Sequence, residues 1–276
     1  MQNEQNWERV FPAGEHRWSM GLQRGESAAS FFAVQDPSLG VLAQRRVWLS
    51  EDFGRYALAL PLATAVVREA TEYASGLGTA LPAHEPRTEA RLFALGVAWE
   101  PDFVLLSPGQ AGVHNLVAGV VCFPSSWALG EKLGRPLSEV HAPVPGLNES
   151  LGKQIDLFLS KIRPGDVWRR ENWGLSRDSE LNQHPAVARP RLDDRVHADE
   201  VWIRLEHQLL TRLPRSGAVL FGIRVEVVPL TRVLADPPAA MRMARQLATL
   251  SEVVAEYKGV FRSRPSILAL LRQACE

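Results

Sequence analysis

The chain has 276 residues, 31 Lys+Arg against 31 Asp+Glu, zero formal net charge and 46% hydrophobic residues. This suits a globular fold with a sizeable core, and the balanced charge excludes a chain-wide basic field for nucleic acid or an acidic membrane surface. Only Cys122 and Cys275 are present, far apart, which excludes a disulfide scaffold, a Cys-rich zinc site and a cysteine-held iron–sulfur cluster.

In chain order, Met1 to Arg9 is polar and lacks the apolar core of a signal peptide. The longest apolar run, Ala57 to Val67, is too short for a bilayer and contains Pro61. With two thiols suited to a reducing compartment, the expectation is a soluble, cytoplasmic protein with no membrane partner. Segments 22–29 and 78–91 read as loops, Val41 to Leu49 as a strand, and Leu62 to Leu77 as a helix. Phe103 to Leu106 and Leu116 to Phe123 are apolar runs bounded by turn residues and read as buried strands. Ser125 or Ser126 is placed to cap a short helix ending at Gly134. Asn148 is placed to cap a helix whose apolar positions run from Leu151 to Ile162 and which Arg163-Pro164-Gly165 stops.

Three strands are expected next, Asp166 to Leu175, Glu200 to Leu209 and Gly217 to Val228. Between the first two, the polar stretch Ser176 to Asp199 is long enough for a lid or a partner-binding loop. Asp236-Pro237-Pro238 starts a helix with a stripe of Met243, Leu247, Leu250, Val254 and Tyr257, ended by Gly259, and a last helix begins near Pro265. The irregular mixture of strands and helices predicts an α+β fold with an antiparallel sheet. It forms one domain over 1–276, with 1–40 as an N-terminal extension and 236–276 as C-terminal helices.

Three segments carry chemical information. His141 precedes Pro143 and Pro145. Each proline pushes its predecessor towards extended geometry, so His141 is expected at the mouth of a stiff loop, either as a metal ligand or bonded to backbone. In Trp168 to Trp173, strand alternation puts Trp168, Arg170 and Asn172 on one face and Arg169, Glu171 and Trp173 on the other. In Trp202 to Gln208 it puts Arg204, Glu206 and Gln208 on one face and Ile203, Leu205 and His207 on the other. A face with a cation, a carboxylate and an amide in register binds a polar ligand or is the wet side of a sheet. The chain has no Gly-x-Gly-x-x-Gly after a strand, no Walker loop, no Gly-x-Ser-x-Gly, no His-Glu-x-x-His and no Cys-x-x-Cys-His.

Several motifs in this order resemble the haem-dependent oxidative N-demethylase alpha-subunit family. They begin at Trp18-Ser19-Met20-Gly21-Leu22 and Arg45-Arg46, continue through Asp102-Phe103-Val104-Leu105-Leu106 and Val121-Cys122-Phe123-Pro124-Ser125-Ser126-Trp127, and include Glu131-Lys132-Leu133-Gly134. They are strongest at that Glu131 to Gly134 segment, at His141-Ala142-Pro143-Val144-Pro145, at Arg170-Glu171-Asn172-Trp173, and at Arg204-Leu205-Glu206-His207-Gln208 followed by Arg212-Leu213-Pro214. His207 departs from the family's pattern, where an Arg is expected, and Leu209 stands near an expected Thr.

The resemblance implies a PAS-like antiparallel sheet flanked by helices and holding non-covalent haem b. It implies oxidative removal of a methyl group from a small secondary or tertiary amine with O2, releasing formaldehyde. The electrons would come from NADPH through a partner reductase subunit carrying flavin and an iron–sulfur cluster. His141 is then the first candidate for the axial iron ligand, with His207 and His184 as alternatives. Arg170 and Arg204 would pair with the haem propionates, Glu206 would take the substrate ammonium, and Asn172 and Gln208 would serve bound dioxygen. Arg204, Glu206 and Asn172 form the expected catalytic set. The composition admits an oligomer. A second reading is a non-catalytic PAS-like sensor or binding subunit for haem or another small molecule.

Overall fold

The computed structural model describes residues 6–82 and 85–276. Residues 1–5, in the polar start, and 83–84, within the expected 78–91 loop, lie outside the described residues. The fold is α+β. Among the described residues one antiparallel sheet has the order β1-β5-β6-β7-β3-β4-β2. Its strands are β1 (Gln23–Arg24), β2 (Ala57–Ala59), β3 (Asp102–Pro108), β4 (His114–Val120), β5 (Val167–Ser176), β6 (Trp202–Arg212) and β7 (Val219–Pro229). The long central strands are those read as apolar or alternating runs in the sequence.

One face of the sheet, the back, is covered by two groups of helices. The first comprises α1 (Trp7–Val10), α2 (Ala28–Phe32), α3 (Val41–Glu51), α4 (Phe53–Tyr56), α5 (Thr64–Gly76) and α6 (Thr88–Ala98). Most of these pack on β3, β4 and β7 through a core containing Phe32, Leu95, Trp99, Phe103 and Leu105. Gly222 of β7 is needed there, because a Cβ would meet the Phe31 ring at 2.7 Å and the Phe32 ring at 2.9 Å. α1 instead joins a core at the far end of β5 and β6.

On the opposite, front face the chain between β4 and β5 forms α7 (Leu129–Lys132), α8 (Leu137–His141) and α9 (Leu147–Lys161). Leu129, Leu137 and Leu159 pack there on Val104, Leu106 and Leu210. After β7 the chain returns to the back face with the second group of helices, α10 (Leu230–Leu234), α11 (Pro237–Ala248), α12 (Glu252–Tyr257) and α13 (Arg264–Gln273). Asp236 caps α11 by accepting from the Ala239 amide at 3.1 Å, as its Asp-Pro-Pro start predicts. Met243, Leu247, Leu250 and Val254 are buried against Ile203, Leu205 and Val228, whereas Tyr257 is half-exposed. The helix expected to run unbroken to Gly259 is interrupted between Ala248 and Glu252.

Other expectations are corrected. Val41 to Leu49 lies in helix α3, not a strand. Its β-branched positions gave a strand-like pattern, but the buried residues are Arg45 and Leu49, four apart on one helical face. Arg45 donates to the Gly96 carbonyl at 2.6 Å and to Asp102 at 2.5 Å. Part of the expected 78–91 loop is the start of α6, and the expected 22–29 loop contains β1 and the start of α2. Neither Ser125 nor Ser126 caps α7, whose N-cap is Ala128. Asn148 lies inside α9, behind Gly146 at the N-cap, and its amide donates to the Ser138 carbonyl at 2.7 Å. No helix among the described residues is long and apolar enough to cross a membrane.

Candidate functional site

The alternation read from β5 and β6 is realised. Asn172 lies opposite Glu206 and Arg170 opposite Gln208, while Gly174 faces Arg204. These residues share the front face with Phe221 and Ile223 of β7 and Val104 of β3. Above this face lies a cavity of about 1320 Å³, beyond the roughly 300–1,000 Å³ of ordinary small-molecule pockets. Its floor includes Val104, Leu106, Phe221 and Ile223, and α8 lends Leu137 and His141. Segment 177–192 and the end of α12 complete the wall.

Glu206 is the polar centre of the floor. One carboxylate oxygen accepts from the Ser125 hydroxyl at 2.7 Å; the other accepts from the Asn172 amide at 3.0 Å and the Gln208 amide at 2.9 Å. Three donors on one carboxylate fix its orientation. Ser125 can reach it because the chain turns sharply at Ser126, which has φ +64° and donates its amide to the Gln183 carbonyl. A non-glycine residue in this region stores strain, and such strain gathers at functional sites.

The arginines divide. Arg204 is nearly buried and donates to the carbonyls of Glu180 at 2.9 Å and Leu181 at 2.8 Å, with a longer contact to Ser125. Its guanidinium therefore ties segment 177–199 to the sheet, and burial lowers its pKa to about 10. Arg170 is the converse. Its Nε is buried without a partner, and burial lowers its pKa although Glu206 opposes the shift. An uncompensated buried cation calls for an anion.

The three candidate histidines also separate. His141 lines the cavity, and burial, then Arg170 and Lys132, depress its pKa to about 4. It is neutral at physiological pH, the state a metal-ligating imidazole requires. It is the last residue of α8 rather than part of an extended loop. Ala142 takes helical angles, φ −54° and ψ −34°, despite preceding Pro143, and a turn closes as the Val144 amide donates to the His141 carbonyl at 2.9 Å. His184 lines the cavity too, but its Nδ1 accepts from the Ala186 amide at 3.1 Å. In the neutral ring that leaves the proton on Nε2. His207 lies on the back face, with Nδ1 2.5 Å from Glu171 and Nε2 3.1 Å from Glu226. Both its nitrogens are engaged away from the cavity.

Two contributors escaped the sequence reading. Ser125, read as a helix cap, is instead a donor to Glu206. Lys258, at the end of a stripe read only as core, enters the cavity wall. It donates to the Trp173 carbonyl at 2.8 Å and lies 4.8 Å from the Trp173 ring centroid. Burial lowers its pKa to about 8, partly offset by Glu206. Cys122 is pushed up to about 12 by burial, so it stays an inert thiol.

Fold and site together define an α+β protein with a large, partly apolar cavity set on one face of an antiparallel sheet. The family model described as haem-dependent oxidative N-demethylase, alpha subunit-like, matches residues 61–268, and the chain belongs to that family. The residues present fit the group the family depends on. The cavity offers apolar walls and a neutral imidazole from His141, and near His141 stands Arg170, whose buried Nε has no partner among the described residues, as a counter-charge for a carboxylate.

Proposed function

We propose that this chain is the haem-bearing subunit of an oxidative N-demethylase acting on a small secondary or tertiary amine. The carrying observation is Glu206, a carboxylate held by Ser125, Asn172 and Gln208 in the wall of the cavity that His141 also lines. A protein that merely holds or senses haem has no need of a triply anchored carboxylate there, and this favours the enzyme over the sensor.

The cofactor is read as non-covalent haem b, whose iron His141 would ligate and whose propionate Arg170 would pair with. When bound, it supplies the oxidation of the N-methyl carbon. In the overall reaction the N-methylated amine, O2, two electrons and two protons give the amine with N–H in place of N–CH3, formaldehyde and water. The electrons are assigned to a partner reductase that draws on NADPH through flavin and an iron–sulfur cluster. Glu206 would accept a hydrogen bond from the substrate ammonium and position the methyl-bearing nitrogen. Asn172 and Gln208 hold Glu206, so they act on the substrate through it. Arg204 keeps segment 177–199 closed over the site and limits water.

A PAS-like fold fits this reading. Its support is the central order β4-β3-β7-β6-β5, a hairpin followed by a helical crossing and a three-stranded meander. The test is formaldehyde release from methylated amines by haem-reconstituted protein with a surrogate reductase and NADPH. Release that requires all components is expected. A haem-loaded, reducible protein that releases none from any secondary or tertiary amine would overturn the proposal.

A further inference from the structure

The cavity contains more unpaired positive charge than a haem consumes. Arg177 is paired with Asp193 and Glu200, and Arg189 with Glu180. Lys132, Arg191, Lys258 and Arg262 line the wall together with the carboxylates Glu131, Glu206 and Glu256, and Arg170 lies near enough to act on His141, yet none of these five cations is ion-paired among the described residues. A haem brings two propionates. Lys132 and Arg170 stand at His141, where their charges act on its ring, and they match that pair.

Lys258 is left over with Arg191 and Arg262, and of the three it is the one whose charge is acted on by the Glu206 carboxylate, with Arg170 also near enough to act on it. It comes from the end of α12. One ammonium hydrogen is used on the Trp173 carbonyl, which leaves two donors. The wall thus presents a fixed anion and a fixed cation from two separate elements, β6 and α12, to one ligand space.

We propose that the substrate carries a carboxylate as well as its methylated amine, the amine going to Glu206 and the carboxylate to Lys258. The substrate class is an N-methylated amino acid, and this assignment rests on the N-demethylation reading above. A bare alkylammonium would satisfy Glu206 but leave Lys258 without a counter-charge and repelled. A zwitterion satisfies both. A site built around a polar group discriminates strongly against analogues that lack it.

The matched probes are N,N-dimethylglycine and trimethylamine, which differ by one carboxylate on the same tertiary amine. Isothermal titration of the haem-reconstituted protein should show N,N-dimethylglycine binding roughly tenfold or more tightly, the size of a charge-assisted hydrogen bond. K258M should erase most of that preference without weakening trimethylamine, and K258R should keep it. Equal binding of the two ligands, binding of neither, or a preference that survives K258M would overturn the assignment. So would K258M lowering haem content instead of changing the preference, since Lys258 would then serve a propionate. The wild-type comparison decides the case even if K258M fails to fold. Tighter binding of N,N-dimethylglycine without formaldehyde release would sink the N-demethylation reading and leave the zwitterion site standing. Formaldehyde from both amines at equal affinity would do the reverse.

Discussion

Glu206 and His207 are consecutive residues of β6, and the strand pleat sends them to opposite faces of the sheet. On the front, burial first and then the cations Arg170 and Lys132 strip the cavity histidine, His141, of its proton. On the back, carboxylates surround His207. Burial there would lower its pKa, but hydrogen bonds from its ring to Glu171 and Glu226, with their negative charges, outweigh this and raise it to about 9. One sheet therefore holds a neutral imidazole on one side and an imidazolium on the other. Burial works in the same direction at both, so the sign of the neighbouring charge decides the outcome. Only the front-face ring, with its proton removed and a cavity before it, is prepared to ligate a metal.

The largest expected effect breaks the front half of this contrast. His141→Ala should abolish the ligated Soret band of haem-reconstituted protein, while His207→Gln should leave that band unchanged. A band that survives in the His141 variant and is lost in a His184→Ala variant would move the ligand to segment 177–199. Next in size is Glu206→Gln. Removing a preorganised charge from a reacting site costs on the order of 10²-fold in turnover, so formaldehyde release should fall by about that factor with haem content intact. Equal turnover in the two proteins would remove Glu206 from the chemistry.

Much of this contrast was legible before the fold was known. The period-two pattern put Arg170 and Asn172 on one face of 168–173 and Arg204, Glu206 and Gln208 on one face of 202–208, and the strand register, which the pattern did not supply, brings the two sets onto the same face of the sheet. Side-chain commitment was not legible. Nothing local distinguishes Arg204, whose guanidinium is spent on the Glu180 and Leu181 carbonyls, from Arg170, whose Nε has no partner. The difference arises from segment 177–199 folding back onto β6, a long-range event. Arg45 shows the same limit, because a core-facing arginine in a helix has the look of a strand's polar side. Lys258 was invisible for a related reason, since helical spacing says where a stripe packs but not what the residue after it meets.

The back half of the contrast is tested by pH. A histidine whose folded pKa is raised contributes stability that is fully present below the unfolded value of 6.5 and lost as pH rises through about 9. For His207 this contribution is up to roughly 3 kcal/mol, reduced by solvent screening because the Glu226 side chain is 49% exposed. His141 has the opposite linkage. Its penalty is absent above 6.5 and grows as pH falls towards about 4. Denaturant midpoints should therefore decline on both sides of about pH 6.5. His207→Gln should flatten the alkaline arm and His141→Ala part of the acid arm. A His207 variant whose alkaline arm keeps the wild-type slope would show that the Glu171–His207–Glu226 cluster does not hold the proton.

The smallest expected effect concerns how firmly the front carboxylate is held. Ser125→Ala removes the one donor that one Glu206 oxygen has among the described residues and leaves Asn172 and Gln208 on the other. The loss of one hydrogen bond to a charged group is worth about 1.5–3 kcal/mol when the group stays buried. Here Glu206 lines the cavity, where water can replace the lost hydroxyl, so the cost should fall at or below the lower bound. The variant should bind haem normally and lose roughly tenfold or less in formaldehyde release at low substrate. The loss should appear in KM more than in kcat, because the bared oxygen can still take the ammonium but is less well aimed. A loss as large as that of Glu206→Gln would mean that the Ser125 hydroxyl itself touches the substrate, and the strained turn at Ser126 would then exist to deliver that hydroxyl rather than to hold the carboxylate.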